Sequence, residues 1–131
     1  LEQFGLVPAI EGMLNLHFEN SPIKANFEYS GFDVRIGTAV ELALFRVLQE
    51  LVSNVIKHSK ASQLTVQLIR LKTHVMMNVS DNGIGFDVEN NQKNGIGLLS
   101  IASRIDAIKG NLRYESGAGN GTTVIIRTPL S

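Results

Sequence analysis

The chain has 131 residues, of which 44% are hydrophobic and 18% charged; these values predict one globular domain with its own core and exclude a disordered chain. Twelve basic residues balance twelve acidic ones, so no overall charge favours nucleic acid or an anionic membrane, and any phosphate site has to be local. The lack of cysteine excludes disulfides and thiolate metal sites, and no apolar run has the length of a membrane span.

The predicted elements alternate between helices and strands. Apolar residues at helical spacing predict a helix over about 7–19, and strict alternation predicts a strand over 23–29. The longest helix is expected to begin at Thr38, which has the capping-box spacing to Glu41, and to end near Ser59. The same criteria predict strands over 63–71, 73–80, 112–116 and 122–128 and a helix over 98–109.

This order of elements predicts a single α/β (α+β) domain over 1–131. The short link around Lys72 favours an antiparallel hairpin between the two strands that flank it. We therefore expect a two-layer sandwich, in which helices cover one face of a mixed, mainly antiparallel sheet.

Two glycine pairs after an acidic strand end suggest a nucleotide pocket. Gly83 and Gly85 follow Asp81, and Gly95 and Gly97 precede a predicted helix, whose first N–H groups favour phosphate. A carboxylate at Asp81 could accept a hydrogen bond from the adenine amine and would reject guanine. The alternative is that the glycines only form turns and that the aspartate caps one of them. The pattern is neither a P-loop nor a dinucleotide fingerprint.

The polar face of the long helix offers oxygen ligands. Glu50 and Asn54 lie four residues apart and share a face, and a carboxylate beside a carboxamide suits magnesium. Lys57, about one turn further on, could meet a phosphate, whereas His58 fits a helix end better than a catalytic role. The alternative is an ordinary solvated helix face.

Together these motifs resemble the catalytic ATP-binding domain of sensor histidine kinases, a family within the ATPase group of gyrase B, heat-shock chaperones and MutL. The segment 48–59 resembles their N-box, 81–86 their first glycine box, 95–98 with Arg104 their second, and 121–123 their closing G-T element. The resemblance covers about 38–129 and is closest to the subfamily paired with helix-turn-helix response regulators.

The resemblance implies a Bergerat-type ATPase fold and a set of roles. Asp81 would bind the adenine amine, Thr122 would help to fix the base through a water, and Asn54 would hold Mg²⁺ between the phosphates. Glu50 would orient a magnesium-bound water or act as a base, and residues 87–94 would form a lid ordered by ATP. The other implied ATP-binding residues are Lys57, His58, Gly83, Gly85, Gly95, Gly97 and Leu98.

The implied activity is transfer of the γ-phosphoryl group of ATP to a histidine. The family carries that histidine on a dimerisation domain, and none of His17, His58 and His74 has such a context. Residues 1–6 would mark the junction with that domain. The implied partners are ATP, the phosphoacceptor domain and a response regulator, with neither nucleic acid nor direct membrane contact; a cytoplasmic location follows, in a full protein that could be membrane-anchored. The alternatives are a serine kinase of the anti-sigma-factor type and a non-catalytic nucleotide-binding signalling module.

Overall fold

The computed structural model describes residues 5–33, 35–84, 98–116 and 121–131, with the eight predicted helices and strands in the predicted order and one π-helical segment that was not predicted. The bounds of each element lie within about two residues of the predicted ones, apart from the end of the long helix. The elements are α1 (Leu6–Phe18), β1 (Lys24–Ser30), α2 (Thr38–Asn54), a π-helical segment (Val55–Ser59), β2 (Gln63–Arg70), β3 (His74–Asp81), α3 (Leu98–Ala107), β4 (Asn111–Ser116) and β5 (Thr122–Pro129).

The five strands form one sheet in the order β1-β2-β3-β5-β4. Strand β1 pairs with β2 in parallel, and the three other pairs are antiparallel. The hairpin expected around Lys72 is present: the N–H of Leu71 donates to the carbonyl of His74 at 2.8 Å, which closes the turn between β2 and β3. The prediction of a mixed, mainly antiparallel sheet is therefore confirmed.

One face of the sheet forms the core together with the helices. Alternate residues of β2, β3 and β5 are buried, as a period of two requires: Leu64, Val66, Leu68, Val75, Met77, Val79, Val124 and Ile126. The apolar stripe predicted on α2 is buried against them, with Leu44, Val47, Leu48, Leu51 and Val52 at most 5% exposed. Each of these side chains contributes roughly 1.5–3 kcal/mol through the area that it removes from water. This packing confirms the two-layer α/β arrangement.

The capping box predicted at Thr38 and Glu41 is wrong. The residue that caps α2 is Gly37, and no side chain bonds to the first turn. Glu41 is instead 2% exposed and accepts hydrogen bonds from Arg35, whose Nε lies 3.1 Å from Oε2 and whose Nη2 lies 2.5 Å from Oε1. Leaving a buried carboxylate without a cationic partner costs more free energy than leaving the helix start without a side-chain cap. Glu41 therefore pairs with Arg35.

The regular helix is also shorter than predicted. Its α-helical part ends at Asn54, and the chain continues as a π-helix over Val55–Ser59 before Lys60 takes a left-handed conformation at φ 54°. No described helix is long and apolar enough to cross a membrane.

Candidate functional site

Asp81 is the last residue of β3, where the strand turns out of the sheet. Its Oδ1 accepts a hydrogen bond from the backbone N–H of Gly83 at 2.8 Å, which holds the carboxylate over the turn. Burial raises the pKa of Asp81 above its ordinary value of 3.8, and the bond from Gly83 partly opposes that rise. The site thus holds a half-buried carboxylate in a fixed orientation.

Thr122 lies beside Asp81, because the two residues are cross-strand partners in the β3–β5 ladder. Its side chain is 6% exposed, and its hydroxyl lies 3.0 Å from that of Ser116. Gly121, just before it, has a φ of 74°, and a Cβ there would collide with the carbonyl of Asp81. The chain can follow this path only with glycine at 121, and the path brings β5 against the aspartate.

Glu50 and Asn54 lie on the half-buried flank of α2, next to the buried stripe. The helical repeat places both on one face, as the sequence predicts. Asn54 is also the last α-helical residue before the π-segment. Helix α2 packs against α3 and touches β3, so the carboxamide and the Asp81 carboxylate belong to neighbouring elements.

The π-segment presents the exposed side chains of Lys57 and His58, next to the exposed Ile56. A π-turn widens the helix and changes the direction of its side chains relative to a continuous α-helix, and such turns occur often at functional sites. Periodicity alone could not have revealed this segment, because its residues continue an ordinary helical pattern up to Lys60.

The structure places seven of the predicted site residues in full. Asp81, Gly83 and Thr122 lie together at the end of the sheet, while Glu50, Asn54, Lys57 and His58 lie along α2 and its π-helical end. Leu98 begins α3. The predicted roles of Gly85, Gly95, Gly97 and the segment 87–94 fall outside the described residues.

The sequence analysis missed a role for Asn82. Its side chain bonds to the start of β2, at Ser62 and Gln63. The available signal was its position immediately after a strand-ending aspartate, since asparagine commonly bonds to nearby backbone in turns. The hairpin predicted around Lys72 also places residue 82 opposite the start of β2, but it gave no reason to expect side-chain bonds there.

The fold is that of a histidine kinase catalytic domain. The structure superposes with a TM-score of 0.76 on the catalytic domain of histidine kinase ThkA, covering 97% of this chain and 93% of that one at 24% identity. It superposes with a TM-score of 0.78 on histidine kinase AdeS of Acinetobacter baumannii, covering 98% of this chain and 66% of that one at 19% identity.

The sequence identifies the family. Residues 39–131 match the family described as histidine kinase-, DNA gyrase B-, and HSP90-like ATPase, and the chain belongs to that family. It is 37% identical over its whole length to the signal transduction histidine-protein kinase/phosphatase DegS of Bacillus subtilis, and 35% identical over 99% of its length to the sensor histidine kinase LiaS of the same organism. The chain spans 36% of each of these two relatives, about a third of their length. It is accordingly an ATP-binding catalytic domain of the histidine kinase type.

Proposed function

We propose that this chain binds Mg²⁺-ATP and donates the γ-phosphoryl group to a histidine on a separate dimerisation domain of a two-component sensor kinase. The observation that carries the proposal is the Asp81 carboxylate, held by the Gly83 N–H at the end of a central strand beside Thr122. Its ionised form accepts hydrogen bonds and cannot donate them, so it suits the exocyclic amine of adenine and disfavours the oxygen of guanine.

The phosphates would then extend towards α2. Lys57 and His58 are exposed at its π-helical end and can meet anionic oxygens. Gly83 would shape the base pocket through its bond to Asp81. The glycines at 85, 95 and 97 would offer backbone N–H groups to the nucleotide, and Leu98, at the start of α3, would contribute to the same site.

The donor set on α2 fits magnesium. Asn54 supplies a carboxamide oxygen and Glu50 a carboxylate on the same half-buried flank. Magnesium usually takes one or two protein ligands and completes its coordination with phosphates and water. Bound there, magnesium would neutralise phosphate charge during transfer. Asn54 would bind the ion, and Glu50 would orient a water or accept a proton.

The acceptor would come from outside this chain. We assign residues 1–131 to one ATPase domain, with 1–6 as the junction to a phosphoacceptor domain, and a response regulator as the next recipient of the phosphoryl group. The relatives named above are histidine kinases, and this favours a histidine acceptor over the serine acceptor of the anti-sigma-factor type. We place the domain in the cytoplasm, where ATP is available.

Calorimetric titration with ATP and with GTP, each with and without Mg²⁺, tests the binding half of the proposal. We expect ATP to bind more tightly than GTP, Asp81→Asn to remove that preference, and Asn54→Ala to remove the dependence on Mg²⁺. Asp106→Asn and Asn15→Ala, both at exposed helical positions, are matched controls and should bind as the unaltered chain does. The proposal would be contradicted if GTP bound more tightly than ATP, or if neither Asp81→Asn nor Asn54→Ala changed the binding of ATP.

Incubation with γ-labelled ATP tests the transfer half. The chain alone should acquire no label, whereas addition of the dimerisation domain encoded by the same gene should yield acid-labile phosphohistidine on that domain. Label on the isolated chain, or acid-stable phosphoserine on the added domain, would refute a histidine acceptor outside this chain.

A further inference from the structure

We propose that Asn82 is a positioning residue that holds the base-binding and phosphate-binding ends of the nucleotide site in register. The proposal rests on the function proposed above and adds to it a residue to which neither the sequence nor the family match gives a role. Asn82 directly follows Asp81 and directly precedes Gly83, so it occupies the turn that carries the carboxylate.

One side chain makes three hydrogen bonds to two consecutive residues. The Oδ1 of Asn82 accepts from the backbone N–H groups of Ser62 and Gln63, each at 2.9 Å, and its Nδ2 donates to the Ser62 hydroxyl at 2.9 Å. The backbone N–H of Asn82 adds a fourth bond, to the Gln63 carbonyl at 3.3 Å. A side chain that merely capped its own turn would bond within a few residues, whereas these partners lie 19 and 20 positions away.

The partners of Asn82 follow closely after the π-segment that carries Lys57 and His58. Ser62 lies five residues after Lys57, beyond the left-handed Lys60 that ends the π-segment. The carbonyl of Ser62 also accepts from the N–H of Lys24 at 2.9 Å, which ties the same residue to β1. Since a π-turn is a less regular structure than an α-helix, the direction of Lys57 and His58 depends on where the following chain is fixed.

Asn82 therefore joins two groups that would touch different parts of one ligand. Asp81 faces the base and the π-segment faces the phosphates, and the amide between them is shared by both. Loss of the amide should leave each half nearly intact and loosen their relative position. A ligand that spans both halves should lose affinity, while one that uses only the base pocket should not.

The test compares ATP with adenosine. We expect Asn82→Ala to weaken Mg²⁺-ATP binding by about tenfold, the effect of one well-placed hydrogen bond, and to change adenosine binding by less than about twofold. Ser62→Ala removes only the bond from Nδ2 and should give a smaller loss of the same selective kind. Asn26→Ala, an exposed asparagine on β1, is the matched control and should alter neither affinity. Affinities are measured by calorimetry for ATP and by ligand-observed nuclear magnetic resonance for adenosine.

The outcomes are separable. An equal loss of ATP and adenosine affinity in Asn82→Ala would mean that the residue serves the Asp81 turn alone, and no loss of either would deny it any role; each result overturns the proposal. If Asn82→Ala does not fold, Ser62→Ala provides the test. The proposal is then overturned if Ser62→Ala does not lower the affinity for ATP more than the affinity for adenosine. Failure of the unaltered chain to bind ATP would instead overturn the proposed function, and this inference with it.

Discussion

At the scale of single residues, the site is built on two positions whose requirements conflict with stability. Asp81 is a carboxylate that burial disfavours, and Gly121 gives up the restraint of a side chain in order to pass close to it. The proposed contact with adenine would account for the buried carboxylate, and the close approach of the chain to the Asp81 carbonyl accounts for the glycine.

Replacing Asp81 with Asn should stabilise the ligand-free domain at neutral pH. The folded-state pKa of Asp81 lies above the unfolded value of 3.8, so protonation favours the fold and its contribution is lost as the pH rises through the folded pKa. Urea unfolding from pH 3 to 8 should show the variant to be more resistant than the unaltered chain at pH 7, with the two converging below pH 3.8. Asp106→Asn controls for removal of a carboxylate as such. An unaltered chain that gains resistance over the variant as the pH rises would contradict the sign of the effect.

Two glycine-to-alanine substitutions should act in opposite directions. Gly121→Ala places a methyl group against the Asp81 carbonyl at a positive φ, and should cost about 1–3 kcal/mol of unfolding free energy and weaken ATP binding. Gly12 is an exposed residue of α1, and nothing lies within 4 Å of the atom that Gly12→Ala would add. This substitution should raise the unfolding free energy by up to about 1 kcal/mol. Chemical denaturation measures both changes. Equal effects of the two substitutions would show that residue 121 has no special conformation.

At the scale of elements, the sequence allowed the strands and the face of each helix to be predicted, because burial imposes a period that can be read directly. It did not reveal what happens at the two ends of α2. At the first end, Glu41 fits a capping pattern but instead pairs with Arg35. Only tertiary packing determines which of these two interactions forms. At the other end, the change from α to π geometry leaves the apolar spacing unchanged. The hairpin predicted around Lys72 brings Asn82 close to the start of β2, but the three bonds of its side chain depend on details of the turn that periodicity does not show.

The Arg35–Glu41 ion pair should respond asymmetrically to loss of either partner. Glu41 is 2% exposed whereas Arg35 is 44% exposed, so an unpaired carboxylate stays buried while an unpaired guanidinium can turn towards water. We expect Arg35→Gln to lower the unfolding free energy by roughly 2 kcal/mol and Glu41→Gln by less than about 1 kcal/mol. The midpoint of urea unfolding at constant slope measures both. Arg113→Gln, which breaks the exposed pair with Glu115, should change little, and an equal cost for the two buried-pair variants would contradict the asymmetry.

At the scale of the whole molecule, the sheet order was not predictable in full from the sequence, although its mixed character was. The hairpin of β2 and β3 follows from a short link, but the parallel pairing of β1 with β2 and the insertion of β5 between β3 and β4 are long-range choices. The insertion of β5 has a functional result, because it makes Thr122 the cross-strand partner of Asp81. The end of the candidate site that we propose to bind the base is thus a product of topology as much as of motif.

The ion pair at the start of α2 also fixes where residue 5 lies relative to the proposed phosphate site. The side chain of Arg35 lies against Gly5, where a Cβ would meet its Cδ at 3.0 Å, so Gly5 lies close to Glu41 in the first turn of α2. Asn54 lies thirteen residues along the same helix, roughly 20 Å away at 1.5 Å per residue. A preceding segment of the same chain would need at least roughly six extended residues to cover that length. Under the proposed function, a phosphoryl acceptor has to bridge that length to reach a phosphate held at Asn54, whether it belongs to the same molecule or to another.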